Sequence, residues 1–206
     1  MQQPASDPNY ESHPVHGIHG QTSFFTAVMR HVRQRRVAVD AGAHIGIWTR
    51  LMAASFREVY AFEPVLENFD CLRANTHDLK NVARFQVALG AHKDQVDMTL
   101  DEGCNSGTWH VKPIGNTPLV TLDRFCVGML CNVDLMKIDV EGFEGFVISG
   151  AVETIKRDKP VVVFEDNGLG TRYYESDWLD PKEVLEKIGY RRVLRIRKDE
   201  VWSSIR

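Results

Sequence analysis

The chain has 206 residues, of which 43% are hydrophobic and 26% are charged, and its formal net charge is −3. This length suits a single domain that buries its core without disulfides, and the mild negative charge argues against general affinity for nucleic acid or anionic membranes. The four cysteines form no C-x-x-C pair, and there is no long apolar run or leader-like start. We therefore expect a cytoplasmic protein in a reducing environment, without a membrane span.

The first predicted elements are an irregular arm and a helix. Residues 1–21 are polar and rich in Pro, Ser and His, which predicts an irregular arm, and residues 22–206 are predicted to form one domain. From Thr22 onwards apolar residues recur at helical spacing, which predicts a helix before the first strand. Three arm histidines are spaced three apart, but Pro14 and Gly17 interrupt any helix that would align them, so we expect no metal site there. These histidines are His13, His16 and His19.

A strand, a glycine turn and a helix follow. The β-branched apolar run that opens at Val37 predicts a short buried strand, Gly42 and Gly46 bracket a tight turn, and the apolar spacing from Ile47 predicts a helix. Glycine lets the backbone of such a turn approach a ligand, and the helix offers unpaired N–H groups. The pattern predicts a nucleotide-binding α/β unit, with a turn that only packs helix on strand as the alternative.

The spacing of this turn discriminates between cofactors. A dinucleotide fingerprint, G-x-G-x-x-G counted from Gly42, would need glycine at His44 and at Ile47, and both positions fail. The pattern present, D-x-G-x-H-x-G, resembles the first motif of class I S-adenosylmethionine-dependent methyltransferases. In that motif the leading carboxylate meets the charged methionine part of the cofactor, and it would repel a pyrophosphate. The expected cofactor contacts in this turn are Asp40, Gly42, Ala43, His44, Ile45 and Gly46.

The second predicted strand ends in an acid. Residues 59–62 are a mostly apolar run that leads into Glu63 and Pro64, a little over twenty residues after Asp40. In a βαβ unit an acid at this point can accept hydrogen bonds from both hydroxyls of a cofactor ribose. We therefore expect Glu63 and Pro64 to contact the cofactor.

The remaining elements alternate between strands and helices. Residues 66–75 predict a helix, 81–90 the third strand with its exit turn, 96–123 an insertion of short extended pieces, and 135–139 the fourth strand. A helix with a break at Gly150, a buried fifth strand at 160–165, a helix from Pro181 and a terminal hairpin at 191–205 complete the chain. This order predicts a Rossmann-like α/β fold, a seven-stranded, mostly parallel sheet with helices on both faces and an antiparallel last strand.

Three stretches together resemble the FkbM family of class I methyltransferases. They are V-D-x-G-A-x-x-G at 39–46, A-F-E-P at 61–64 and K-I-D-V-E-G-x-E at 137–144, and the last block is the most specific. The likeness covers about residues 37 to 165, with one departure, because the family usually has Asn at the position of His44. It implies S-adenosylmethionine as cofactor, adenine contacts at Ala88 and Leu89, and hydroxyl acceptors on sugars, polysaccharide units or polyketide-like molecules.

Four acids are predicted to meet at one rim of the sheet. Parallel strands place ligands at their carboxyl ends, where Asp40, Glu63, Asp139 and Glu165 all lie. A hydroxyl acceptor must lose its proton, so a base is needed, and we predict Asp139 and Glu141 as catalytic residues, with His110 or Glu165 as substitutes. Glu144 is predicted to lie on a helix surface. The structural alternative is that such acids only cap the helices that follow them.

Asp166 and Asn167 suggest a second use of the fifth strand. This pair resembles the divalent-metal ligands of catechol-type O-methyltransferases, with Asp139 as the third protein ligand, and such oxygen ligands suit Mg²⁺. FkbM-like chains usually lack the pair, and D-N-G is also a good turn. We therefore do not predict a metal.

Other reactions are disfavoured by missing residues. Methylation of base amino groups commonly uses N-P-P-Y or D-P-P-Y after the fourth strand, where this chain has D-V-E-G, and none of the cysteines suits carbon methylation of pyrimidines. The sequence thus predicts an S-adenosylmethionine-dependent O-methyltransferase acting on a small-molecule or glycan acceptor. A nicotinamide-dependent oxidoreductase and a non-catalytic cofactor-binding module remain as alternatives.

Overall fold

The computed structural model describes residues 1–5, 18–100, 106–127 and 132–204. His13, His16, Cys104 and Cys131 lie outside these ranges. The strands are β1 (Val37–Ala41), β2 (Glu58–Phe62), β3 (Val82–Phe85), β4 (Ala88–Leu89), β5 (Asp94–Thr99), β6 (His110–Pro113), β7 (Thr117–Val120), β8 (Val133–Ile138), β9 (Val161–Glu165), β10 (Tyr190–Ile196) and β11 (Asp199–Ser204). The helices are α1 (Ile18–Val28), α2 (Ile47–Ala53), α3 (Leu66–Asn75), α4 (Leu122–Cys126), α5 (Glu144–Ser149), α6 (Val152–Asp158), α7 (Leu169–Tyr174) and α8 (Pro181–Lys187).

The main sheet has the architecture that the sequence predicts. Its seven strands lie in the order β10-β11-β9-β8-β1-β2-β3, and the pairs among β9, β8, β1, β2 and β3 are parallel. The last strand, β11, runs antiparallel to β9 on one side and to β10 on the other. The carboxyl ends of β1, β2, β8 and β9 therefore meet at one edge of the sheet.

Both faces of this sheet are covered by helices. Side chains of a strand alternate between faces, and those of β1 divide accordingly between two buried clusters. Val39 packs in the cluster that includes Val147 of α5 and Leu185 of α8. Ala38 packs in the cluster that includes Val28 of α1 and Met52 of α2. The predicted layer of helices on each face is therefore confirmed.

The insertion forms a second sheet, with strand order β4-β7-β5-β6. The predicted third strand at 81–90 is wrong in its extent, because β3 ends at Phe85 and the next two strand residues, 88–89, pair with β7 instead. The hairpin expected after residue 96 is present, since β5 and β6 pair antiparallel. Met98 and Val111 of this small sheet line the same cavity as Ala41 at the end of β1 and Asp139 after β8.

Two further boundaries differ from the sequence prediction. Residues 18–21, expected in an irregular arm, belong to α1, whose Phe24 and Phe25 rings pack edge-on against Trp48. The predicted division at residue 21 therefore falls inside a helix. α7 was not predicted, because Leu169–Tyr174 has no apolar repeat. The residue before it, Gly168, has a left-handed backbone conformation.

Candidate active site

A cavity of about 300 Å³ opens at the carboxyl ends of the central strands. This is the lower end of the volume range of small-molecule sites. The structure brings ten of the predicted site residues to its wall. They are Gly42, Ala43, His44, Ile45, Glu63, Pro64, Ala88, Leu89, Asp139 and Glu141.

Two predicted contacts, Asp40 and Gly46, do not line this cavity. Gly46 lies at the start of α2, and a Cβ atom built on it would come within 2.9 Å of the Leu72 side chain on α3. Its lack of a side chain thus serves helix packing. The direct contact of both residues with the cofactor stays a prediction.

The glycine turn is held against two neighbouring strands by its backbone. Gly42 and Ala43 each donate a backbone hydrogen bond of 3.0 Å to the carbonyl of Phe62 at the end of β2. Gly42 has φ +77°, and a Cβ atom there would lie 1.8 Å from the carbonyl oxygen of Asp139. Only glycine allows this approach, so the turn after β1 and the acidic turn after β8 touch through their backbones.

The carboxylate of Glu63 accepts hydrogen bonds from the backbone of the glycine turn and of the residue after Pro64. Its Oε2 accepts a 2.8 Å hydrogen bond from the backbone N–H of His44, and its Oε1 accepts one of 3.0 Å from that of Val65. Burial raises the pKa of Glu63 to about 7, and these amide donors oppose that rise. Each carboxylate oxygen keeps a further lone pair, so Glu63 can still accept a ligand hydroxyl.

Asp40 is fully buried, and its carboxylate contacts other residues of the protein. Its Oδ2 accepts a 2.6 Å hydrogen bond from the Thr49 hydroxyl of α2, and its Oδ1 lies 3.8 Å from the ammonium of Lys137. The Lys137 Nζ also lies 3.0 Å from Asp139 Oδ2 and 3.3 Å from the Gly42 carbonyl oxygen. Lys137 therefore connects the acid of β1 with the acid after β8.

Lys137 was missed at the sequence level, although a signal was present. It is the lysine of the K-I-D-V-E-G block, it lies in a strand whose six residues are all buried, and it is itself only 8% exposed. Residues two apart on a strand point to the same face, so Lys137 and Asp139 were expected on one side of β8. A lysine is rarely buried unless it is paired.

A segment of the insertion covers the glycine turn. The imidazole Nε2 of His44 and the Ser106 hydroxyl are 2.9 Å apart, and the Asn68 side-chain N–H₂ donates a 3.2 Å hydrogen bond to the Ser106 carbonyl. Burial and the nearby Lys137 ammonium lower the pKa of His44 to about 4, so its ring is neutral at physiological pH. His44 thus fastens the cover through a neutral hydrogen bond.

Two buried polar atoms of the cavity wall indicate a ligand. Among the residues that the structure describes, the Asn68 Oδ1 acceptor and the Trp109 Nε1 donor have no hydrogen-bond partner. Both residues line the cavity. Buried polar atoms are nearly always hydrogen-bonded, so a polar ligand in the cavity would satisfy both. A nucleoside-like cofactor carries donors and acceptors of this kind.

Three carboxylates lie close together on the wall of the same cavity. Oxygens of Asp139, Glu141 and Glu165 lie within 4.8 Å of one another. The Asn167 side chain donates to Glu141 Oε2 at 3.3 Å and to Glu165 Oε2 at 3.1 Å. Burial, with the nearby carboxylate of Asp139 next in importance, raises the pKa of both glutamates above their ordinary range. Both glutamates of this cluster therefore hold a proton more readily than an ordinary glutamate does.

Glu144 is not the surface acid that the sequence predicts. It is 4% exposed, and its Oε1 accepts hydrogen bonds from the backbone N–H groups of Val140 at 3.1 Å and Gly142 at 3.2 Å. Burial raises the pKa of Glu144 to about 8. The side chain therefore braces the acidic turn from inside the protein, and helical spacing could not reveal this because α5 begins only at Glu144.

Two other predicted candidates lie elsewhere. His110 is buried, its ring stacks on that of Tyr173 at 3.9 Å, and it is not among the residues that line the cavity. Asp166 pairs with the Lys182 ammonium at 3.1 Å. In the set of possible metal ligands that the sequence suggests, the carboxylate of Asp166 is therefore already paired with a lysine.

The fold is shared with several solved structures. The structure is similar to the methyltransferase FkbM from Methylobacillus flagellatus, with a TM-score of 0.55 and 18% identity, over 84% of this chain and 45% of that one. It is also similar to precorrin 8W decarboxylase from Methanobacterium thermoautotrophicum, with a TM-score of 0.53 and 15% identity, over the whole of both chains. A protein from Streptococcus mutans assigned as a methyltransferase, in complex with SAH, matches 89% of this chain and 97% of its own at 9% identity and a TM-score of 0.52. The fold is that of the Rossmann-like methyltransferases.

The family is shown by the sequence itself. The profile of the methyltransferase FkbM domain matches residues 40–192, and the chain belongs to this family. It therefore contains the methyltransferase domain of this family, for which the cofactor is S-adenosylmethionine. The chain spans less than half the length of the Methylobacillus FkbM protein. No curated protein matches the sequence. Within the described ranges, no helix is long and apolar enough to cross a membrane.

Proposed function

We propose that the protein transfers a methyl group from S-adenosylmethionine to a hydroxyl of a small-molecule or glycan acceptor. The observation that carries this proposal is the placement of the glycine turn with Glu63 and the acids Asp139 and Glu141 on the wall of one cavity. When bound there, the cofactor supplies an electrophilic methyl group on a sulfonium. The protein must hold the acceptor hydroxyl close to it, in line, and take up the proton of that hydroxyl.

The cofactor would be held by the cavity-lining members of the predicted set. Glu63 would accept hydrogen bonds from the ribose hydroxyls, while the carboxamide of Asn68 and the indole of Trp109 offer an acceptor and a donor to the rest of the ligand. The remaining contacts in the proposal come from Gly42, Ala43, His44, Ile45, Pro64, Ala88 and Leu89. Asp40 would act indirectly, through Lys137.

Asp139 is the catalytic base in this proposal. The ammonium of Lys137 lies 3.0 Å from Oδ2 of Asp139 and holds this carboxylate in place by an ion pair. Glu141 lies in the same cluster, and its raised pKa favours the protonated form, which can donate a hydrogen bond to the acceptor oxygen. Asp139 would take up the proton of the acceptor hydroxyl at a carboxylate oxygen, while the bound cofactor would supply the methyl group and be released as S-adenosylhomocysteine.

The acceptor class rests on the family likeness and on the acids. FkbM-like chains imply sugars, polysaccharide units or polyketide-like molecules, all of which carry hydroxyls. The cluster of Asp139, Glu141, Glu165 and Asn167 offers several hydrogen-bonding groups for such hydroxyls. A cytoplasmic setting stays a prediction, supported by the buried free thiols of Cys71 and Cys126, and so does a single domain over residues 22–206.

The experiment combines cofactor binding with turnover. Calorimetry should detect binding of S-adenosylmethionine, and release of S-adenosylhomocysteine should depend on an added hydroxylated acceptor from a panel of sugars, oligosaccharides and polyketides. Asp70→Asn is a control for Asp139→Asn, because Asp70 is an exposed acid on α3 whose carboxylate lies 3.4 Å from the guanidinium of Arg73. Binding without turnover on any acceptor would favour the non-catalytic module, and acceptors methylated only on nitrogen would contradict the proposed O-methylation.

A further inference from the structure

A second cavity, of about 690 Å³, lies at the edge of the main sheet opposite to the candidate active site. Its wall includes Asp134 and Val161, near the amino ends of β8 and β9, and Ser204 at the carboxyl end of the antiparallel β11. The segment that joins α1 to β1 forms another part of the wall. This cavity therefore has no residue in common with the methyl-transfer site.

The wall of this cavity is strongly basic. We call it the basic groove, and its cations are Arg30, Arg33, Arg36, Lys159 and Arg191. Among the residues that the structure describes, two acids line it as well, Asp134 and Asp158, so three of the positive charges there are in excess. The chain as a whole carries a net charge of −3, so this excess is local and opposite in sign to the protein.

Both acids of the groove are already engaged. Asp134 receives the guanidinium of Arg36 at 2.6 and 3.0 Å and the backbone N–H of the same residue at 2.7 Å. Asp158 receives the Arg157 guanidinium at 2.7 Å and the backbone N–H of Val133 at 3.0 Å. In the part of the chain that the structure describes, no ion pair involves the other four groove cations. These are Arg30, Arg33, Lys159 and Arg191.

The groove also offers neutral donors beside its cations. Arg191 on β10 lies directly opposite Ser203 on β11 in the strand register, and both line the groove together with Ser204. Guanidinium groups match the oxygens of phosphate in pairs, and hydroxyls add single hydrogen bonds. Arginine with serine is therefore a donor set for phosphate, whereas a purely structural cluster would need carboxylates to offset its charge.

We propose that the basic groove binds a phosphate-bearing anion with two or more phosphoryl groups, at a site separate from methyl transfer. A single phosphate would contact only part of a cavity of about 690 Å³ and would leave most of its cations unpaired. The ligand would bring together Arg30 and Arg33 from the α1 side, Lys159 after α6, and Arg191 from β10. Its phosphoryl groups could belong to a soluble molecule or to a lipid headgroup.

The experiment uses tripolyphosphate as the probe, titrated by calorimetry into the whole protein at low ionic strength. Binding should be detected, should weaken as salt is raised because salt screens the charges, and should be unaffected by saturating S-adenosylmethionine. In the double variant Arg33→Gln/Arg191→Gln, the dissociation constant should rise by about tenfold or more for each guanidinium removed, the scale of a charge-assisted hydrogen bond. Both side chains are exposed, so the fold should persist.

Arg73→Gln provides the matched control, because Arg73 is an exposed arginine on α3, away from the groove. It should leave the affinity unchanged. Absence of tripolyphosphate binding, equal weakening by the control, or displacement by S-adenosylmethionine would each overturn the proposal. A second arm uses vesicles of phosphatidylglycerol, and binding to vesicles without binding to tripolyphosphate would also overturn it, since the groove would then be a membrane-contacting surface. Cofactor affinity, measured on the same variants, tests the methyl-transfer proposal separately.

Discussion

The contact between the two functional turns can be tested by adding a single methyl group. Gly42 has φ +77°, and a Cβ atom there would lie 1.8 Å from the carbonyl oxygen and 2.8 Å from the carbonyl carbon of Asp139. Gly168 has nearly the same backbone, φ +78°, but a Cβ atom there would meet no atom within 4 Å. The pair Gly42→Ala and Gly168→Ala therefore separates the effect of the contact from the effect of the backbone conformation.

The magnitudes follow from these two environments. Placing alanine in the left-handed region costs about 1–2 kcal/mol, which is the full loss of unfolding free energy expected for Gly168→Ala. At Gly42 the new atom meets backbone, which cannot rotate away as a side chain can, so the turn itself must move. Overpacking adds about 1–3 kcal/mol, which gives roughly 3–5 kcal/mol for Gly42→Ala. This is a large part of the roughly 5–15 kcal/mol that stabilises a domain.

Urea denaturation of the wild type and both variants, followed by circular dichroism, measures these losses. Calorimetry with S-adenosylmethionine should in addition show weaker binding for Gly42→Ala and unchanged binding for Gly168→Ala, because only Gly42 lines the cavity. Equal losses of stability in the two variants would refute the reasoning, since the contact with Asp139 would then contribute nothing.

Three further predictions concern acids of the site. Glu63→Ala should weaken S-adenosylmethionine binding by about 2–4 kcal/mol if two hydrogen bonds to ribose are lost, and calorimetry showing unchanged affinity would contradict the role of Glu63. Asp139→Asn should lower turnover by about a hundredfold or more at nearly unchanged cofactor affinity, whereas a lower melting temperature with full turnover would make Asp139 structural. In the folded protein the pKa of Glu144 is raised to about 8 from its ordinary value of 4.5. The stability that its bound proton contributes is therefore fully present below pH 4.5 and is lost as the pH rises through 8. Glu144→Gln keeps an oxygen for both amide donors. As the pH rises from about 5 to 8, the unfolding free energy of this variant should therefore fall by about 1–3 kcal/mol less than that of the wild type. Stability curves of the two proteins that run parallel over this pH range would contradict the prediction.

Much of the fold could be read locally. The buried run of β1, the glycines after it and the apolar spacing of α2 depend only on neighbouring residues, so the strand, turn and helix were predicted at their places. The acid at Glu63 was found in the same way, because its position follows from the length of one βαβ unit. The terminal hairpin also follows from local pattern, and β10 and β11 pair antiparallel as expected.

Pairing between distant segments decided what the local pattern could not. Ala88 and Leu89 read as a continuation of β3, but hydrogen bonding to β7, some thirty residues later, moves them into the second sheet. The Ser106 hydroxyl meets His44 across 62 positions, a contact without any periodic signature. No spacing rule predicts such contacts, because their partners are chosen by the packing of the whole chain.

The sequence by itself determined the fold class, the family and ten of the residues that line the cavity, since these follow from short motifs that fold locally. Only the tertiary structure decided the chemistry of each acid. Asp40 and Asp139 face the same buried lysine, Lys137, while Glu141 lies among other carboxylates and Glu144 turns inward to two backbone amides. Proton affinity depends on burial and on charges a few ångströms away, and both are set by residues that are far apart in the chain.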